Sequence, residues 1–171
     1  MGFTCRTTYN QKALTAVARA VRKTVRAKAS RKVRLCSWVI IGLLLVSLWI
    51  SWGKTWQTAA NCAVIVALLL TNWKEDAINA YFAKGKALPG TDFAEAVFCP
   101  DSFFVKTAAA ESKWQYGKIF ALAETDGYFL LVMGKNHAMA VEKANLEGGS
   151  ISEFCRFIED KSGRKMQNIG G

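Results

Sequence analysis

The sequence predicts an α+β protein in three parts: a basic N-terminal helix, a two-helix transmembrane hairpin, and a small antiparallel β-sheet or barrel capped by a C-terminal helix. Three observations predict it. Residues 1–73 carry eleven Lys or Arg and no Asp or Glu. Two apolar stretches, Leu35 to Trp52 and Trp56 to Trp73, close that acid-free half. After Pro89-Gly90 the apolar period changes from 3.6 residues to 2, the change from helix to strand.

Chain averages hide this organisation. A mean hydropathy of +0.12 with 21% charged residues would suit an ordinary soluble domain. The part after Trp73 holds 12 basic and 13 acidic residues, so the net charge of +10 belongs to the first half. Such asymmetry points to nucleic acid or to an anionic membrane surface, and the adjoining apolar stretches select the membrane. The chain divides into a basic amphipathic juxtamembrane segment (1–34), the hairpin (35–73, with spans 35–52 and 56–73), a membrane-exit helix and linker (74–89), and a cytoplasmic domain (90–171).

Within residues 10–34, Leu14, Val17, Ala18, Val21 and Val25 recur at helical spacing while the bases fall on other faces. Arg19, Arg22, Lys23, Arg26, Lys28, Arg31, Lys32 and Arg34 are the candidate membrane-surface residues. Each base near an anionic leaflet contributes about 1 kcal/mol without selecting a headgroup. A span of 18 residues makes roughly 27 Å of helix at about 1.5 Å per residue, close to the roughly 30 Å hydrocarbon core. Ten of the eleven bases precede the first span and only Lys54 lies in the Trp52-to-Trp56 connector. The positive-inside rule then places both termini in the cytoplasm. In the second span Ala59, Ala63 and Ala67 recur every fourth residue and Asn61 interrupts the apolar run, the pattern of close helix packing. No Asp, Glu, Lys, Arg or His lies in either span, which argues against a transport relay.

Residues 73–88 read as a helix leaving the membrane, with Ala77, Ile78, Tyr81 and Phe82 on one side, ended by Pro89-Gly90. Strands are expected over 93–98, 102–107, 112–116, 117–124, 128–133 and 137–142, separated by turn residues. Asp126-Gly127 predicts a type I′ hairpin. Ser150-Ile-Ser-Glu153 reads as a capping box that opens a helix faced by Ile151, Phe154, Cys155, Phe157 and Ile158, with Gly163 as its stop.

Two stretches, Tyr116-Gly-Lys-Ile119-Phe-Ala-Leu122-Ala-Glu124-Thr-Asp-Gly-Tyr128-Phe-Leu130 and Leu146-Glu-Gly-Gly-Ser150-Ile-Ser-Glu153-Phe154-Cys-Arg-Phe157, resemble the signature of the YcxB-like family of small bacterial membrane proteins. The order of basic N-terminus, two spans and this domain resembles that family too. The resemblance implies a bacterial inner-membrane location and a cytoplasmic domain of pleckstrin-homology-like (PH-like) character. It implies no particular activity. Glu142 stands before Lys143 where the family often has Pro, so no ligand role is carried to Lys143.

Catalytic signals are weak. His137 is the only histidine and has no ligand-spaced partners, and Glu124 and Asp126 are explained as hairpin residues. The five cysteines are scattered, with no CxxC pair, so neither a disulfide framework, a metal nor a cofactor is expected. Trp114, Tyr116, Tyr128 and Phe129 are read as core aromatics, with a peptide or lipid groove as the alternative. The expected function is non-enzymatic: a multi-pass membrane protein presenting a cytoplasmic interaction or regulatory domain that binds a protein partner or lipid headgroups. An accessory subunit acting through its hairpin is the alternative. The expected partners are the bilayer, its anionic headgroups, and a membrane protein or a second copy of the chain, with no nucleic acid.

Overall fold

The computed structural model describes residues 2–50, 55–87 and 89–170, so the expected connector at Trp52 to Lys54 lies outside the described residues. Strand β1 (Phe3–Thr8) leads into helix α1 (Gln11–Lys23), then α2 (Ala27–Ile50), α3 (Thr55–Trp73) and α4 (Glu75–Gly85). Strands β2 (Phe93–Phe98), β3 (Phe103–Lys106), β4 (Glu111–Trp114), β5 (Ala121–Glu124), β6 (Tyr128–Val132), β7 (Ala138–Glu142) and β8 (Leu146–Glu147) follow. Helix α5 (Ile151–Ser162) and strand β9 (Met166–Asn168) complete the chain. The architecture is α+β, built on two sheets rather than one meander. The first has the order β4-β3-β2-β1-β8 and the second β7-β6-β5-β9.

Strand β1 is the largest departure from the sequence expectation. Residues 3–8, expected within the juxtamembrane segment, are not part of it. They form an inner strand of the first sheet, antiparallel to β2 from Phe3↔Phe98 to Thr8↔Phe93, and they also pair with β8. The physical reason is alternation, since Phe3, Cys5 and Thr7 point inward and Arg6 and Thr8 outward. Gly148 makes the β8 junction possible. Its φ is 98°, and a Cβ there would stand 2.4 Å from the Gly2 carbonyl oxygen.

Helix α1 also differs from expectation. It packs against the outer face of the second sheet, where Ala16 and Ala20 meet Ala121, Ala123, Leu130, Val132 and Ala140. The inner face of the same sheet supplies Leu122, Phe129, Leu131, Met139 and Val141 to the main core. With both faces covered, β5 to β7 have no polar side to show, which explains their nearly continuous apolar runs.

The main core joins both sheets to α5 through Phe3, Phe98, Phe103, Phe129, Phe154 and Ile158. Helix α5 has the expected capping box between Ser150 and Glu153, and it ends at Gly163 in the left-handed region with φ 64°. The hairpin between β5 and β6 turns at Asp126-Gly127, but no type I′ turn forms there, because neither residue has a positive φ. Gly127 instead offers its carbonyl to the Lys143 N–H at 2.9 Å, which ties the turn to the end of β7.

Among the described helices only α2 is long and apolar enough to cross a membrane, and only 11% of its apolar window is buried. Of the two expected spans, the first falls on a helix of this kind and the second is not shown. Gln57, Asn61 and Asn72 dilute α3, which lies beside α2 and is long enough but less apolar. Trp38, Leu43, Trp49 and Ile50 of α2 are exposed, as are Trp56, Val66, Leu70 and Trp73 of α3.

Candidate functional site

Two places stand out among the described residues: the charged joint where α1 meets α2 and α4, and a mostly apolar cleft at the opposite end of α1. The joint takes up most of the expected membrane-surface bases. Arg22 makes a bidentate pair with Asp76 at the start of α4, with Nε to Oδ1 at 2.6 Å and Nη2 to Oδ2 at 2.7 Å. This fork geometry is the strong form of the guanidinium–carboxylate bond, and it holds the Arg22 guanidinium further toward its charged form. Arg19 lies 3.5 Å from Asp76 and also donates to the Gly170 carbonyl. Lys23 donates to the Ile169 carbonyl at 2.7 Å, and Arg26 to the Asn136 side chain at 3.0 Å. Arg34 and the Ser30 hydroxyl both reach Glu75.

Five of the eight bases are therefore engaged in contacts between elements of the fold. Lys28, Arg31 and Lys32 are exposed, and among the described residues they form no ion pair. Glu75 and Asp76 could not be matched to these bases from sequence, because the contacts span 41 to 57 positions and depend on how α1 and α4 pack.

The α2–α3 pair is joined by two amide–hydroxyl bonds. Asn61 Nδ2 donates to Ser47 Oγ at 3.0 Å, and Asn72 Nδ2 to Ser37 Oγ at 2.7 Å. Asn61 is thus a packing residue, as the sequence suggests. Ala59, Ala63 and Ala67 are exposed and turn away from α2. Intrachain packing runs instead through the polar residues, which satisfy one another between the helices.

The cleft has a volume of about 540 Å³. Tyr9 and Leu14 wall one side, Val105 of β3 and Trp114 of β4 another, and Met133 and His137 lie in the connection between β6 and β7. Asp92 and Lys84 stand at its polar margin. The His137 ring lies 6.1 Å from the Trp114 ring. Burial pushes the Tyr9 phenol up from its ordinary value, and its oxygen accepts from the Ala140 N–H. A mostly apolar cleft with a few polar groups at its margin suits an apolar side chain or a small amphipathic ligand. It draws on six separated segments of the chain, so no local motif announces it.

The other singled-out residues have structural surroundings. Glu124 pairs with Lys143 at 3.3 Å, and the Lys143 ammonium lies 4.7 Å from the Phe129 ring centre. Among the described residues no hydrogen bond or ion pair joins Glu124, Asp126 and His137. Tyr116 and Phe129 are core residues, with the Tyr116 hydroxyl donating to the Cys99 carbonyl at 2.6 Å. Tyr128 packs at the rim of the α1 contact, and only Trp114 of the four aromatics lines the cleft. No group of three or more His, Cys, Asp or Glu among the described residues is placed to hold a metal. Compared with protein-family models and with curated proteins, the chain matches none.

Proposed function

We propose that this is a non-enzymatic integral membrane protein of YcxB-like type, crossing the bilayer twice and presenting a PH-like head at the cytoplasmic face as an interaction or regulatory module. The reading rests on one observation, the pairing of β1 with β2 on either side of the apolar helices. A crossing by α2 alone would leave Phe3–Thr8 and Phe93–Phe98 on opposite sides of the bilayer, so α3 carries the return. The polar residues of α3 suit that role because Asn61 and Asn72 are satisfied by Ser47 and Ser37 rather than by lipid. The bases before α2 orient the pair with both chain ends inside. On this reading the cleft beside Trp114 receives an apolar side chain of a protein partner.

Topology reporters test the reading. An alkaline phosphatase fused at the C-terminus is expected to be inactive and a fluorescent protein bright, and the reverse pattern would sink the proposal.

A second reading, an accessory subunit of a larger membrane complex, is favoured by the outward alanine stripe on α3. Small residues there leave room for a further helix to approach closely. Ala63→Cys in a Cys62→Ser background is expected to give one discrete crosslinked partner if that reading holds. Diffuse or absent crosslinking would eliminate it.

A further inference from the structure

We infer that the elbow between α1 and α2 is a binding site for a phosphate group. The inference rests on the membrane reading above and assigns a specific site to what would otherwise be diffuse attraction. A cavity of about 150 Å³ opens there, lined by Arg22, Lys23, Ala27, Ser30, Arg31 and Arg34. That is several times the roughly 30 Å³ share of one liquid water, so it admits a phosphate group with part of its hydration.

Four cationic side chains line this one cavity, and their charge is only partly answered. Asp76 takes up Arg22, and Glu75 lies against Arg34 and Ser30. Lys23 and Arg31 face no acid among the described residues; Lys23 meets only the Ile169 carbonyl. The bonds from Arg22 to Asp76 and from Lys23 to Ile169 also fix two of the cations in advance, so little ordering remains to be done when an anion arrives. Arg is suited to the task because its planar fork matches phosphate oxygens.

Depth agrees with a lipid source. Ser30 precedes Leu35, the first residue of the apolar stretch, by five positions, or about 7.5 Å of helix. The headgroup layer on each side of the hydrocarbon is about 5–8 Å thick, so the cavity lies at phosphate level when α2 spans the bilayer.

The test uses full-length protein in detergent, with bound lipid read by native mass spectrometry. Phosphatidylglycerol is expected to be retained about fivefold over phosphatidylcholine, and Arg31→Gln to remove that preference. Lys28→Gln and Lys32→Gln delete the same charge outside the cavity and are expected to change retention less than about twofold. Among the described residues Arg31 has no ion-pair partner, so its variant should unfold at the wild-type urea concentration. Equal losses from all three variants, or equal retention of the two lipids, would overturn the site.

Inorganic phosphate identifies the source. Displacement of the lipid by about 10 mM phosphate, with Arg31-dependent phosphate binding, assigns the site to the free anion; resistance assigns it to the headgroup. Either result keeps the site. An external C-terminus in the reporter experiment would remove the membrane reading while leaving Arg31-dependent phosphate binding in place. Loss of the site alone would leave the topology unchanged.

Discussion

Residues 90–171 expressed alone are expected to remain unfolded, although they contain eight of the nine strands and the whole of α5. Without β1, the β2 and β8 edges lose their shared partner, and Phe3 and Cys5 leave the core. Without α1, the outer face of the second sheet exposes Leu130 and Val132 with the alanines around them. Each large apolar side chain returned to water costs about 1.5–3 kcal/mol, and a small domain has only about 5–15 kcal/mol of net stability. Circular dichroism and amide dispersion of the fragment provide the measurement. Tethering residues 2–26 to its N-terminus is expected to restore a cooperative unfolding transition. A well-dispersed spectrum from residues 90–171 alone would show that neither β1 nor α1 is needed.

Phe154→Ala is expected to destabilise the head by about 3–5 kcal/mol, the usual cost of deleting a buried aromatic. The Phe154 ring is fully buried. It lies 5.3 Å from Phe3, 4.9 Å from Phe98 and 5.2 Å from Phe129, so one side chain links α5 to both sheets. Cys5 supplies a local reporter. Its thiol is buried in the same core, and burial raises it above the ordinary thiol range, so alkylation requires opening of the head. Alkylation of Cys5 across a urea gradient, resolved by peptide mass spectrometry, should show the transition at much lower urea in Phe154→Ala. Ile151→Ala, at an exposed position on the same helix, should stay within about 0.5 kcal/mol of wild type. Equal effects from the two would place the stability of α5 elsewhere.

These predictions depend on what the sequence does and does not reveal. Helix α5 is legible because its signals are local: a capping box three residues apart and a glycine stop. Strand β2 is legible from its alternation, and β3 from a short aromatic and β-branched run bounded by turn residues. The signal for β1 is present in Phe3, Cys5 and Thr7, yet six residues beside a long basic helix carry little weight until their partner at 93–98 is known. The role of α1 is foreshadowed from the other side. Runs such as Tyr-Phe-Leu-Leu-Val in β6 lack a polar face and so require cover on both sides, and a thin Ala/Val stripe suits close approach to a sheet.

The bases themselves are plain in the sequence, but their division into clamp and free charge is not. Arg22 and Arg31 differ only in where Asp76 lies in space. The turn at Asp126-Gly127 shows the reverse failure. Its position follows from local chemistry, while its dihedrals answer to Lys143, sixteen residues later.

The pairing of Phe3 with Phe98 also sets an order of events during synthesis. The first strand emerges early and must wait, unpartnered, for some ninety residues until the strand that completes it is made. It is polar at every second position, which lessens its tendency to pair wrongly in that interval. On the two-crossing reading proposed above, the two strands meet in one compartment only after both apolar helices have been threaded and returned. A chain that crosses once and fails to return keeps its first strand apart from its partner, so on that reading completion of the sheet depends on completion of the hairpin.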